Sequence, residues 1–374
     1  MVRTVSILLT ALTGFSGLVY EIAWQKYLAT LLGSHSEASA AVLGLFLGGL
    51  SVGYSLFGAV TRRMVERAAR ASRPPKLLLL YGAIELSIGL FVIAFPWLFR
   101  LVQALSFAIP HGPAGIGFAI DVLLSALLVG PPAVLMGGTI PILTQALSRS
   151  LDDATRFHAF VYAFNTAGAF VGALAAGFFL VPRLGLQAAM VAMGVVNLAA
   201  GSTFVLLGWR GRDVAPLIVQ LDDAPTPRIS GFRSFATVAA LTGFAMMTIQ
   251  TAVIRLASTA FGSSQFTFSM VVAVFVLSIA IGSFCVSAFS RIPTRVVVVN
   301  QWGLAFLFLL LYPLLGDAPY WVHALRTVFR DTDAAFWAFY ASGFLGLVAV
   351  LGLPVMLSGA SLPLLFHHTR REVG

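Results

Sequence analysis

Hydrophobic and polar positions along the chain sort into long apolar runs joined by short polar links. They show neither the alternation of a half-buried strand nor the single apolar stripe of a surface helix. The runs cover approximately 5–32, 38–60, 77–99, 115–146, 158–181, 186–209, 234–261, 266–290, 296–316 and 335–366. Each has at least the ~20 residues a helix needs to cross the hydrocarbon core of a bilayer. The pattern predicts an all-α polytopic membrane protein with about ten transmembrane helices, and the continuity of the runs excludes a β-barrel. The longest cytoplasmic link, 210–233, contains DDAPTPR and reads as a flexible linker. It separates a first membrane bundle of six spans (1–209) from a second of four (234–374).

The two bundles share a register. At an offset of 229, Thr13-Gly14-Phe15 aligns with Thr242-Gly243-Phe244, Gly33-Ser34 with Gly262-Ser263, Phe46 with Phe275, Gly53 with Gly282 and Arg62 with Arg291. At an offset of 222, PAVLMGGTIPIL from Pro132 aligns with PVMLSGASLPLL from Pro354. A shared apolar composition does not keep register over such a length, so the reading is a duplication. Both copies start on the same side, which predicts parallel repeats like the halves of major-facilitator transporters. The counterpart of Asn165 falls at about position 387, beyond Gly374. The second copy is therefore expected to lack two spans, the sequence being a fragment or a partner supplying the rest.

Composition agrees with a bilayer partner: 59% hydrophobic and 10% charged residues, with a mean hydropathy of +0.94, against ~25% charged in soluble domains. The net charge of +9 could suggest nucleic acid, but its distribution argues against that partner. Arg3, Arg62 to Lys76, Arg149, Arg156, Arg210 to Arg233, Arg291, Arg295, Arg370 and Arg371 fall on one side, and only Arg100, Arg183, Arg326 and Arg330 on the other. That bias places the N-terminus in the cytoplasm. Cys285 stands alone, so neither a disulfide framework nor a metal cluster is expected.

Three acids lie inside spans. Glu21 is some 16 residues into its run, roughly 24 Å from the cytoplasmic end at 1.5 Å per residue, and Glu85 and Asp121 lie at other depths. Such acids are costly and mark ion or proton paths. Two readings stand: a site for a cation or for protons, or internal pairing, with Glu21 held by Lys26 or Arg255 and Asp121 by a neighbouring hydroxyl. Gln250 replaces Glu21 in the second copy, so acid chemistry belongs to the first. Asn165 and Tyr20 are further polar candidates in the same bundle. Lys26 and Arg255 can instead snorkel to the interface, with Tyr20, Trp24 and Tyr27 as an aromatic belt. Pro131, Pro132, Gly137 and Pro141 predict a kinked or broken helix, for binding or for packing. Gly44-xxx-Gly48, Gly49-xxx-Gly53 and Gly168-xxx-Gly172 read as close helix contacts. No cofactor-binding loop or nucleophile triad is visible, and no cofactor is expected.

SGLVYEIAW (16–24), the Gly-rich second span ending in Arg62-Arg63, YGAIELSIGL (81–90), PPAVLMGGTIPIL (131–143), YAFNTAGAFVGALAAGF (162–178) and SLPLLFHHTRREVG (361–374) together resemble the membrane region of spermidine-synthase-like integral membrane proteins, the fused major-facilitator/spermidine synthase family. The resemblance implies a bacterial inner-membrane location and a polyamine-related context. In the family a soluble aminopropyltransferase-like domain follows, and no position of this chain matches its nucleotide loop, so this chain alone is not expected to transfer aminopropyl groups. Lys26 stands where the family is expected to favour Arg, which keeps the charge and loses the planar fork. The expected function is a membrane module that binds or moves a cationic amine or protons through intramembrane carboxylates. The alternative is a non-transporting anchor or scaffold for the synthase-like domain or a partner.

Overall fold

A computed structural model describes residues 2–33, 35–109, 114–148, 151–211, 232–287, 289, 292–293, 295–329 and 332–373. Most of the linker read at 210–233 lies outside the described residues. The described chain is helical throughout: α1 (Val2–Leu32), α2 (His35–Arg70), α3 (Leu77–Ala108), α4 (Ala114–Leu147), α5 (Leu151–Ala175), α6 (Val181–Trp209), α7 (Phe232–Phe261), α8 (Gln265–Ser287), α9 (Arg295–Gly316), α10 (Ala318–Val328) and α11 (Asp333–Val373). Nine described segments are long and apolar enough to cross a membrane. One of these, Phe157–Trp209, is 53 residues long. As a single helix it would run to ~80 Å, against a hydrocarbon core of ~30 Å. A π-helical turn, Ala176–Leu180, and a break at Gly185 (φ 79°, ψ 168°) divide it. Only glycine adopts that backbone conformation without strain.

The chain divides into two compact units, Met1–Asp222 and Asp223–Gly374. In the first, α1 is the central helix and touches α2, α3, α4, α5 and α6, while α2 pairs with α4 and α3 with α6. In the second, α11 packs on α8, α9 and α7, and the short α10 lies against α7, α9 and α11.

Helices in lipid gain nothing from hiding apolar surface from tails that are equally apolar, so close approach through small residues decides which pairs form. Against α5, a Cβ at Gly14 would stand 2.2 Å from the Asn165 carbonyl oxygen, and one at Gly168 would stand 1.9 Å from that of Ala11. On the α2–α4 pair, a Cβ at Gly53 would lie 1.9 Å from the Val134 oxygen, and one at Gly137 would lie 2.2 Å from that of Leu50. The α8–α11 pair reproduces this reciprocal contact: Gly282 faces the Met356 oxygen at 2.0 Å and Gly359 that of Ile279 at 2.5 Å. Ile279 and Gly282 stand 229 positions beyond Leu50 and Gly53; Met356 and Gly359 stand 222 beyond Val134 and Gly137. Helices α1 and α7 also both end on a glycine of positive φ, Gly33 at 74° and Gly262 at 101°.

Two expectations are corrected. Helix α4 is not interrupted: it runs continuously from Ala114 to Leu147 with Pro131, Pro132 and Pro141 inside it. The conformation is tenable because each proline forfeits one backbone bond, while α2 packs tightly on the same stretch, with Gly49 facing Ala133 and Gly53 facing Val134 and Gly137. Within the first unit this segment packs against α2. Gly44 and Gly48 make no close contact with another helix of the first unit among the described residues, since a Cβ at either would meet nothing within 4 Å; Gly49-xxx-Gly53 and Gly168-xxx-Gly172 do make such contacts.

Candidate functional site

The central position of α1 buries polar groups that a lipid-facing helix could not carry. Tyr20, Glu21, Trp24 and Gln25 are all buried on it. Tyr20 and Trp24 are fully enclosed, so they are not an interfacial belt. The Trp24 ring lies 5.9 Å from Tyr20, 6.0 Å from Phe46 and 6.0 Å from Phe95, and its indole N–H has no hydrogen-bond partner among the described residues. Tyr27, half-buried, packs its ring 4.9 Å from Phe99.

Three helices meet in one buried polar chain. Tyr20 of α1 donates its hydroxyl to Asn197 Oδ1 of α6 at 2.7 Å, and Asn197 Nδ2 donates to Glu85 Oε2 of α3 at 2.6 Å. A side-chain amide is the right bridge because it can accept on one end and donate on the other. Glu85 is 1% exposed and Asn197 2%. Tyr81 lies one turn before Glu85 on the same face of α3, and Thr13 of α1 is beside both. The second carboxyl oxygen, Glu85 Oε1, and the Tyr81 hydroxyl are buried and make no hydrogen bond of normal geometry. Asn197 thus holds one oxygen of the carboxyl group, and the other lies beside the Tyr81 and Thr13 hydroxyls.

Glu21 is a separate case. It is 4% exposed and makes no hydrogen bond or ion pair among the described residues. The expected pairing with Lys26 does not form. Five residues at 100° each put the two side chains about 140° apart around α1, and Lys26 is half-buried on the other side. Arg255, on α7 of the second unit, is exposed. Asp121 is half-exposed and accepts a 2.6 Å hydrogen bond from Ser106 Oγ of α3, the pairing with a neighbouring hydroxyl. Asn165 is half-buried against Gly14 and belongs to the α1–α5 contact. Of the residues singled out in the sequence, the structure brings together Tyr20 and Glu85. The bridging Asn197 and the adjacent Tyr81 were not singled out, although Asn197 is the lone asparagine in span six and Tyr81 stands at helical spacing from Glu85. Among the described residues no group of His, Cys, Asp and Glu is placed to hold a metal ion.

The chain is similar to polyamine aminopropyltransferases. Over 207 residues, 53% of this chain, it is 29% identical to the polyamine aminopropyltransferase of Mycobacterium tuberculosis, covering 35% of that protein. The Corynebacterium efficiens protein of the same name is 29% identical over 194 residues, 51% of this chain and 33% of the relative. Polyamine aminopropyltransferase 1 of Streptomyces coelicolor is 27% identical over 209 residues, 56% of this chain and 35% of the relative. The aligned regions thus span about a third of the length of these curated relatives. No family model and no solved structure matches.

The second unit holds an apolar cavity of about 410 Å³ between α8, α9 and α11, lined among others by Gly282, Cys285, Val286, Met356 and Ala360. In the first unit the Phe57 ring lies against Gly138. Val286 and Ala360 stand at the 229 and 222 offsets from that pair. Val286 is smaller than Phe57, and no acid lines the cavity.

Proposed function

We propose that this chain is the membrane module of a spermidine-synthase-like protein, and that its first bundle binds a proton or a cationic amine at Glu85 and Glu21. One observation carries the reading. Two carboxyl groups are closed inside the first unit with no cationic partner among the described residues; Glu21 makes no hydrogen bond there, and Glu85 has one oxygen on Asn197 and the other beside the Tyr81 and Thr13 hydroxyls. Leaving a buried polar group unsatisfied costs ~1–3 kcal/mol, and more if it is charged, so a fold keeps one where something else completes it. A proton completes Glu85 without any rearrangement, whereas an amine requires the bundle to open. The similarity to polyamine aminopropyltransferases supports a polyamine-related setting. The reciprocal glycine contacts, equal in register in both units, support two parallel major-facilitator-like repeats; the inner membrane and a cytoplasmic N-terminus are part of the proposal, on the charge bias of the links.

The test is flux in proteoliposomes. The wild type is expected to take up a labelled polyamine or to conduct protons under an imposed gradient. Glu85→Gln and Glu21→Gln together should abolish that flux while the protein stays folded. Unchanged flux in the double variant sinks the proposal. A second reading, a non-transporting anchor for a synthase-like domain, is favoured by the closed Tyr20–Asn197–Glu85 chain, which ties three helices together as a structural device would. It requires that the wild type carry no flux at all.

A further inference from the structure

The two units share a helix register, yet they differ in how their first helices are covered. In the first unit α1 presents Ala11, Gly14 and Phe15 to α5, and the Cβ distances at Gly14, Gly168 and Gly172 show the two backbones in direct contact. At the offset of 229 the same positions on α7 are Ala240, Gly243 and Phe244. All three are exposed, Phe244 by 71%, and a Cβ at Gly243 would meet nothing within 4 Å. Helix α10 packs on α7 but leaves this face open. On α9 the stripe Val298, Trp302, Phe306 and Leu309 is likewise exposed, while its counterpart by order, α3, is covered by α6. The rest of the unit follows the first closely, down to the reciprocal contact of Gly282 and Gly359.

We propose that the α7 face at Ala240, Gly243 and Phe244 is the seat of a transmembrane helix with an Asn-xx-Gly-xxx-Gly stripe like that of α5, followed by a second helix that covers α9. Lipid is a poor occupant, because a glycine on a lipid face contributes neither packing nor helix propensity. A helix that approaches to backbone contact needs a small residue there. The occupant is identified by the template in this chain, where Asn165, Gly168 and Gly172 meet Gly14, Ala11 and Phe15.

The probe is a second copy of residues 151–209, fused after Gly374 in the full chain, in a Cys285→Ser background. A cysteine replaces the asparagine of the fused copy that repeats Asn165, whose side chain meets Gly14 in the first unit. Partner cysteines are placed at Ala240→Cys or, on the neighbouring face, Leu241→Cys. In nanodiscs under mild oxidant the disulfide is expected from Ala240→Cys and not from Leu241→Cys, and adding Gly243→Trp should remove it. The fused pair should also raise the unfolding midpoint, and Gly243→Trp should cancel the gain. Equal crosslinking at the two positions, or none although protease protection shows the fused pair inserted, overturns the proposal. So does a dominant Ala240→Cys disulfide between two copies of the unfused chain, which would make the face a self-association surface.

Discussion

Substituting Gly53 by alanine tests the packing that positions the first bundle. The added Cβ would lie 1.9 Å from the Val134 carbonyl oxygen, whereas real Cβ contacts essentially never fall below 3.0 Å. Helices α2 and α4 must therefore part by about 1 Å or more, and the reciprocal contact of Gly137 with Leu50 is lost with them. Overpacking of this kind costs ~1–3 kcal/mol. With a rigid backbone atom as the obstacle, the upper end, about 3 kcal/mol, is expected. The same α4 segment carries the three prolines, so the disturbance falls where the helix already lacks backbone bonds. Gly282→Ala meets the Met356 oxygen at 2.0 Å and should cost as much in the second unit. Gly58→Ala, on the same helix as Gly53 but with nothing within 4 Å, is the control. It should gain up to ~1 kcal/mol from the better helix former. Equilibrium unfolding of the purified protein in detergent, followed by tryptophan fluorescence, reads all three. Gly53→Ala as well tolerated as Gly58→Ala would refute both the close approach and the register argument built on it.

Asn197→Leu strands the Tyr20 hydroxyl and Glu85 Oε2 together. At ~1–3 kcal/mol per orphaned group it should destabilise by ~2–6 kcal/mol in the same unfolding assay. Trp24→Phe keeps a ring among Tyr20, Phe46 and Phe95 and discards an indole N–H with no partner among the described residues, but it leaves a void at a fully buried site and should cost ~1–2 kcal/mol, less than the ~3–5 kcal/mol of truncation to alanine. Ser106→Ala removes the partner of a half-exposed Asp121, where water can substitute, and should cost no more than ~1 kcal/mol. Val286→Phe should fill part of the cavity between α8, α9 and α11 and leave the unfolding midpoint equal or higher; a fall of the size overpacking produces, ~1–3 kcal/mol, would mean that there is no room for the ring.

The helices were legible because span length is set by the bilayer itself. Runs of about twenty apolar residues have few alternatives to a helix. The glycine register at 229 and 222 was likewise readable, because a glycine needed for backbone contact cannot drift. The helix ends at Gly33 and Gly262 follow the same logic. Partnership was harder to read. Gly44-xxx-Gly48 and Gly49-xxx-Gly53 look alike in sequence, and only the position of α4 decides which one is a contact. The prolines at 131, 132 and 141 suggested a break because the sequence does not show α2 lying against them. Glu21 and Lys26 attracted a pairing argument through closeness in sequence, yet the helical turn sets them on different sides. Asn197 escaped notice because its importance lies in a bridge between α1 and α3, across 112 positions from Glu85.

The central claim is that the buried carboxyl groups of the first bundle take up a proton or a cation. Infrared difference spectra of the full chain in lipid, recorded on a pH jump and on polyamine addition, observe those groups directly. The account predicts a carboxyl C=O band that changes in the wild type and loses a component in Glu85→Gln and another in Glu21→Gln. A carboxyl band that responds identically in the wild type and the double variant would contradict it.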